Sequence, residues 1–419
     1  MSLFYAIPID FSLAEDTNVD YVFKLTEVTI EKLGTLEKTE FWDNIAADGG
    51  NVRLFGDDEK VNQLPVEVIL VDTGTRDLEL WGRLNRPLLA SGGNTYWLEL
   101  VTAGDPQMAA VNDQFGSRAV WQNYALVVHG VNDGQDSTNN YSFGVTGPDA
   151  TFSRAGMFMA NSRPRYNARA ANQKLSVNNV TMSMELSITS VYEGNVNDVG
   201  DGISLLAGSL TPLSNTRLVI FVKQDPPLSP VRPSPPQPVP PELRGAFFGV
   251  NGPEFDGFDE NGRLSYDNCT ALGGELQPKF YTYAGDNFLL SGSYDVTDNP
   301  NSLLPFRGEF RFYRDGAQEG LNTTALNLPW GRARFNDSEF FISQDGATWT
   351  MKDLHIRNDT LNAVYEAAQN SNRRDEENFY GLPVLEVDPG PPPPPPDPPP
   401  APPEPGTRTY QVWSTANIK

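Results

Sequence analysis

The chain has 419 residues, a net charge of −23, and a composition weighted to Gly (36), Pro (35) and aromatic residues (23 Phe, 15 Tyr, 7 Trp). So acidic a balance repels phosphate and sets nucleic-acid partners aside. The single cysteine, Cys269, leaves no intrachain disulfide and fits folding in a reducing cytosol.

Met1 to Asp10 carries no basic region and no apolar run of signal length, so no secretory leader is expected. No stretch reaches the ~18 apolar residues of a membrane span, so no membrane insertion is expected. Beyond this the chain reads as strands. Tyr21–Thr26 and Val28–Ile30 form an early strand pair or one bent strand. Asn51–Phe55 is a short strand turned by Gly56-Asp57-Asp58. Leu64–Val71 alternates in part, Leu78–Leu84 alternates with period two, and Gly92-Gly93-Asn94 precedes the strand Thr95–Val101. Short strands divided by Gly, Asn and Asp turns predict a sandwich. After a polar, turn-rich stretch from Asn132 to Asn140, Val180–Ile188 alternates at length and Leu218–Val222 has the composition of a buried strand.

Two proline-rich stretches cut the chain, Asp225–Pro241 and Asp388–Gly406. Proline lacks the amide donor a sheet needs and favours the extended polyproline helix, so each run reads as a stiff spacer. The second would span on the order of 50 Å at about 3.1 Å per residue. Between them, Phe280–Tyr283, Phe288–Tyr294, Gly308–Tyr313, Phe340–Ser343 and Trp349–Met351 are further strands, with Asp315-Gly316 and Asp345-Gly346 as tight turns. One helix is predicted over 360–371, with Leu361, Val364, Tyr365 and Ala368 on one face and Asp359 as its cap.

The fold class expected is therefore all-β: sandwich modules joined by proline-rich linkers, with one minor helix. The divisions are 1–129, a second β region 130–224 that is separate or part of the same sandwich, the linker 225–241, a C-terminal β domain 242–388, the arm 389–406 and a terminal peptide 407–419. That peptide is β-prone and too short to fold alone. Tyr410, Val412 and Trp413 are its candidate anchors for adding as a strand to a neighbouring subunit.

Within 41–129, Leu64-Pro65 leads into a strand bearing Glu67. Trp81 sits on the next strand, a Gly93-Asn94-Thr95 turn follows, and Val120-Trp121 opens a Val-Trp-x-x-Tyr-x-x-Val-x-His segment ending at His129. In order and spacing this resembles a domain family of unknown function, found in phage structural proteins and bacterial surface proteins and often placed ahead of a concanavalin-like lectin sandwich. The resemblance implies a display or adhesion module without known catalysis. The stretch 130–224 is short for a complete lectin neighbour.

Signals for bond chemistry are sparse. Only His129 and His355 are present, and His129, at a strand end, reads as a packed or turn histidine. No Gly-x-Ser-x-Gly elbow supports a nucleophile, and two distant histidines with one cysteine fall short of a closed zinc set. Asp256, Asp259 and Glu260 read as a solvated turn, and the loop Asp256–Gly262 departs from calcium-hand spacing because Gly257 stands at the first ligand position. Pro227–Arg232 fits the Pro-x-x-Pro-x-Arg ligand form, which a proline spacer contains by chance. No catalytic residue, metal site or cofactor is expected.

These readings converge on a bacteriophage virion protein made in the host cytoplasm: a tail fibre, tail-tip or baseplate appendage acting by non-covalent contact. Its expected partners are other virion proteins and copies of itself, with a host surface glycan or receptor as a further one. The alternatives are a capsid decoration or head-fibre protein and, in another class, a carbohydrate-active depolymerase.

Overall fold

The computed structural model describes residues 2–104, 106–131, 133–146, 149–160, 163–168, 179–190, 203–207, 217–224, 244–251, 285, 287–298, 306–326, 339–344 and 348–386. In chain order the N-terminal elements are β1 (Ser2–Pro8), β2 (Val22–Thr26), α1 (Glu27–Ile30), α2 (Thr35–Asn44), β3 (Val52–Phe55), β4 (Gln63–Leu64), β5 (Val66–Asp72), β6 (Asp77–Arg83), β7 (Thr95–Val101), α3 (Ser117–Val120) and β8 (Tyr124–Val128). There follow β9 (Tyr141–Thr146), β10 (Asp149–Ser153), β11 (Gly156–Ala160), β12 (Arg163–Ala168), β13 (Asn179–Ser190), β14 (Ile203–Ala207), β15 (Arg217–Gln224) and β16 (Arg244–Asn251). The last are β17 (Asn287–Asp298), β18 (Phe306–Arg314), β19 (Ala317–Leu326), β20 (Glu339–Gln344), β21 (Thr348–Arg357), α4 (Ala363–Arg374), α5 (Glu376–Phe379) and β22 (Val384–Glu386). The protein is all-β, as its alternation and turn chemistry predict.

Among the described residues the strands form four antiparallel sheets. One has the order β22-β1-β7-β3-β4 and a second the order β2-β6-β5. The third runs β10-β11-β21-β13-β17-β18-β19, with β8 beside β21, and the fourth β16-β15-β14-β20-β12-β9. Side chains alternate across a strand, and this sorts β2 and β6 into two faces. Phe23, Leu25, Leu78 and Leu80 join Tyr5, Ile7, Leu54, Tyr96, Leu98 and Leu100 of the first sheet, with Phe41 from α2 and Tyr365 from α4, in one apolar core. Each such side chain contributes on the order of 2 kcal/mol on burial. The opposite face carries Val22 and Trp81 into a second cluster with Val120, Trp121, Tyr124 and Val127. The β2-β6-β5 sheet is thus a middle layer covered on both sides, and the outward half of its alternating pattern is not exposed: Glu79 is 1% accessible.

The outer edge of β2 is closed by side chains instead of a strand. Asn372 accepts from Lys24 N (2.7 Å) and donates to Lys24 O (2.8 Å), Tyr365 Oη accepts from Val22 N, and Glu376 accepts from Thr26 N (2.8 Å). Polar groups on α4 and α5 therefore satisfy backbone that would otherwise be an open edge.

Three expectations need correction. The first proline run, 225–241, does not separate self-contained units, because strand partners cross it. β8, inside 1–129, pairs with β21; β13, inside 130–224, pairs with β17 and β21; and β22 pairs with β1. Proline forbids a strand locally but does not prevent strands on either side from pairing. Second, Val28–Ile30 is not a strand: Thr26 caps α1 by accepting from Val28 N, and the chain turns inward there. Third, the C-terminal helix is capped by Asn362, which accepts from Tyr365 N, while Asp359 pairs with Arg357. Phe280–Tyr283, Cys269, both proline stretches and the terminal peptide lie outside the described residues.

Candidate functional site

The β2-β6-β5 register sets one row of side chains on the face toward β8 and β21. Lys24 is opposite Trp81 on β6, and Trp81 is opposite Glu67 on β5. Direct partners in an antiparallel pair share a face, so Lys24, Trp81 and Glu67 line up, with Glu79 two residues from Trp81 on the same side. The Lys24 ammonium lies 5.5 Å from the Trp81 ring centre and 3.6 Å from Glu79, and the Trp81 indole donates to Glu79 (3.2 Å).

The layer opposite answers this row through a bulge. On β13, Ser183 pairs with His355 but Glu185 pairs with Lys352, so Asp353 and Leu354 together oppose one residue. Asp353 takes a φ of +51°, in the left-handed region that Asp tolerates better than most residues. A bulge re-aims a side chain, and here the Asp353 carboxylate is fully buried between two cations. One oxygen accepts from Lys24 Nζ (3.1 Å), and the other bonds His129 Nδ1 (2.8 Å). His129 continues the chain, with Nε2 3.5 Å from a Glu67 oxygen, and that same oxygen accepts from the Trp121 indole. Arg373 of α4 donates to the Asp353 carbonyl (2.9 Å) and to Glu185 (2.9 Å).

Burial alone would discharge these groups, and their mutual pairing overrides it. Burial works against protonated His129, but hydrogen bonds and charge from Asp353 and Glu67 hold it at about 9, an imidazolium at neutral pH. Burial likewise opposes ionised Asp353, yet Lys24 and then His129 keep its carboxyl well below the usual range. Lys24 is raised despite its burial, chiefly by Asp353 and Glu79. His355 goes the other way: desolvation and the nearby Arg373 push it well below 6.5, so it is neutral. Its ring packs 5.1 Å from both Trp81 and Trp121, and Nε2 has no hydrogen-bond partner among the described residues.

His129, Asp353 and His355 place ligand atoms within 4.8 Å of one another. A metal ion fits poorly there, because the Lys24 ammonium already occupies the cation position at Asp353, and the Asp353-bound imidazole is itself charged. The arrangement is a self-neutralising ion chain that welds the middle layer to the outer one.

Glu67 is where this chain approaches solvent, its side chain 11% exposed against 0% for His129. It borders a cleft of about 180 Å³ lined by Val66 and Val68 of β5, Val52 and Arg53 of β3, and Met108, Val111 and Phe115 of the loop before α3. Small-molecule pockets are commonly about 300–1,000 Å³, so this one has room for a large side chain and not for a cofactor. Arg53 fastens the loop by donating to the Gln107 carbonyl (2.7 Å), and Phe115 O accepts from Val66 N (3.1 Å). Met108 and Val111 on the rim are 48% and 52% exposed.

Glu67, Trp81, Trp121 and His129, all picked out in the sequence, therefore meet at one place, with His129 packed as expected. The two histidines that seemed distant lie 5.9 Å apart between ring centres. Lys24, Glu79 and Asp353 were not anticipated. Their one local signal is charge on alternate positions of otherwise apolar strands, which reads as a solvent face. Tyr410, Val412, Trp413, Asp256, Asp259, Glu260 and Pro227–Arg232 lie outside the described residues.

No family model and no curated protein matches the chain. Among solved structures it is similar to the receptor-binding domain of botulinum neurotoxin C/D mosaic serotype, with a TM-score of 0.35 and 10% identity over 60% of this chain and 52% of that one. It is similar also to the binding domain of serotype C1 (0.33, 10%, 59% and 52%) and to the type G receptor-binding domain (0.32, 13%, 59% and 51%). The chain spans about half the length of these proteins, and likeness at this level says nothing of what it binds.

Proposed function

We propose that this protein is an external structural component of a bacteriophage particle, a tail fibre, tail-tip or baseplate appendage, that works by non-covalent positioning and not by bond chemistry. The observation that carries this reading is the seating of β22, the last described element before the polyproline arm. β22 is the outermost strand of the first sheet, paired with β1 through Phe4–Glu386, Tyr5–Leu385 and Ala6–Val384. Glu386 is held from two sides, by Lys60 Nζ (2.5 Å) and by the Trp97 indole (2.9 Å). A single short strand is a weak attachment; the ion pair and indole bond at its final residue make it a fixed root for the proline-rich segment that follows, whose sequence reads as a stiff spacer. That design suits a module that presents something at a set distance.

The groups best suited to acid–base work support the same reading. His129, Asp353 and Lys24 are buried and spent on one another. The resemblance of 41–129 to a phage-associated family adds the setting. The test is quantitative mass spectrometry of density-purified particles. Recovery at a constant ratio to the major structural proteins is expected; absence from particles, with the protein found only in the lysate, would overturn the proposal.

A further inference from the structure

The cleft beside β5 has a feature that an incidental surface dent lacks. Val66, Glu67 and Val68 all border it, and successive strand residues point to opposite faces. A concavity lined by both parities opens on the strand's backbone edge. β5 is the outermost strand of its sheet, and no described strand pairs with its outer side. The opposite edge, β2, is closed by Asn372, Tyr365 and Glu376. Among the described residues, only Val66 N, at the start of β5, bonds outward, to the Phe115 carbonyl. An edge with apolar walls suits an added strand that brings an aromatic knob.

The sequence offers such a segment. Residues 407–419 read TRTYQVWSTANIK, with alternating β-prone residues, Tyr410 and Trp413, and two basic and no acidic side chains in a protein of net charge −23. Length decides whose cleft it reaches. The arm's root, β22, is three strands from β3, which forms one wall of the cleft; at about 4.8 Å per strand that is on the order of 15 Å. As a polyproline spacer, the expectation from its sequence, 389–406 would carry its end on the order of 50 Å away, far beyond a site so near its own root. We infer that residues 407–419 of one copy dock, as an added strand, on the β5 edge and cleft of a second copy, so that the arms link subunits head to tail. This deepens the proposed structural role and rests on it. A contact of this kind is heterologous and builds rings or chains.

The test uses full-length protein and sedimentation velocity. Wild type is expected to associate. Val111→Asp places a charge on the exposed cleft rim, and Val412→Asp places one in the tail; each is expected to weaken association at least tenfold with the circular dichroism spectrum unchanged. Mixed together, the two variants retain one intact cleft and one intact tail between them and should form a heterodimer and nothing larger. Met108→Asp is a second rim variant should Val111→Asp misfold. A monomeric wild type, rim variants that associate like wild type, or a mixture that stays monomeric would each overturn the docking. None of these would remove the protein from purified particles, so the structural role fails or stands separately.

Discussion

Replacing Glu366 with Gln should stabilise the protein at alkaline pH and not at acid pH. Glu366 projects from α4 into the layer below, fully buried, and Ser291 Oγ donates to it at 2.7 Å. Burial pushes its carboxyl up to about 7 from an ordinary 4.5; the Ser291 bond and the charges of Arg373 and Arg357 offset only part of that cost. The folded chain therefore binds this proton more tightly than the unfolded chain, so the group favours folding below about 4.5, and that advantage is lost as pH rises through about 7. Once both states are ionised the penalty is on the order of 3 kcal/mol. Gln keeps the acceptor for Ser291 and has no charge to bury. Any cost of its unpaired amide, about 1 kcal/mol, applies equally at every pH. The difference in melting temperature between Glu366→Gln and wild type, followed by circular dichroism from pH 4 to pH 8.5, should move in the stabilising direction by several degrees, most of it between pH 5 and 7.5. A difference that is flat with pH, or that moves the other way, would refute the reasoning.

Asp353→Asn leaves Lys24 and His129 without their shared anion and should cost about 3–5 kcal/mol, the usual penalty for breaking a buried pair from one side; chemical denaturation measures it. The same change should lower the His129 pKa from about 9. His129, raised above 6.5, contributes stability that is complete below about 6.5 and lost as pH rises through 9, so that alkaline loss should be blunted in the variant. Gly82→Ala would set a Cβ 2.4 Å from the Phe23 ring and 2.7 Å from Leu54 inside the core, and should destabilise by about 1–3 kcal/mol in thermal melts. Asn362→Ala removes the cap of α4 and should cost about 1 kcal/mol by the same measurement, whereas Asp359→Ala leaves the cap bond intact.

Much of the strand content was legible because alternation and turn residues are local. Val52–Phe55, Asp77–Arg83, Thr95–Val101, Asn179–Ser190 and Asn287–Asp298 fall on segments that alternation, apolar composition or flanking turn residues marked as strands. The organisation was not legible, because pairing is not local. β1 and β22 stand at opposite ends of the described chain, and nothing in the text of either names the other. The site was half legible. Glu67, Trp81, Trp121 and His129 stand out as large or titratable residues in ordered positions. Lys24 and Asp353, 329 residues apart, become partners only once β2 and the β21 bulge face each other. Charge in a strand normally marks water, and here the neighbouring layer takes the place of water by supplying counter-charges. The helix cap failed for a simpler reason: Asp359 and Asn362 are both good caps, and Asp359 is drawn off by Arg357.

The most direct test of the central claim, that this body is a non-catalytic module held in place within a particle, is electron microscopy of purified virions with gold-labelled antibody against residues 2–146. The account predicts gold at fixed positions on the tail in most particles. Gold confined to the head would contradict the tail placement, and unlabelled particles would contradict the claim itself.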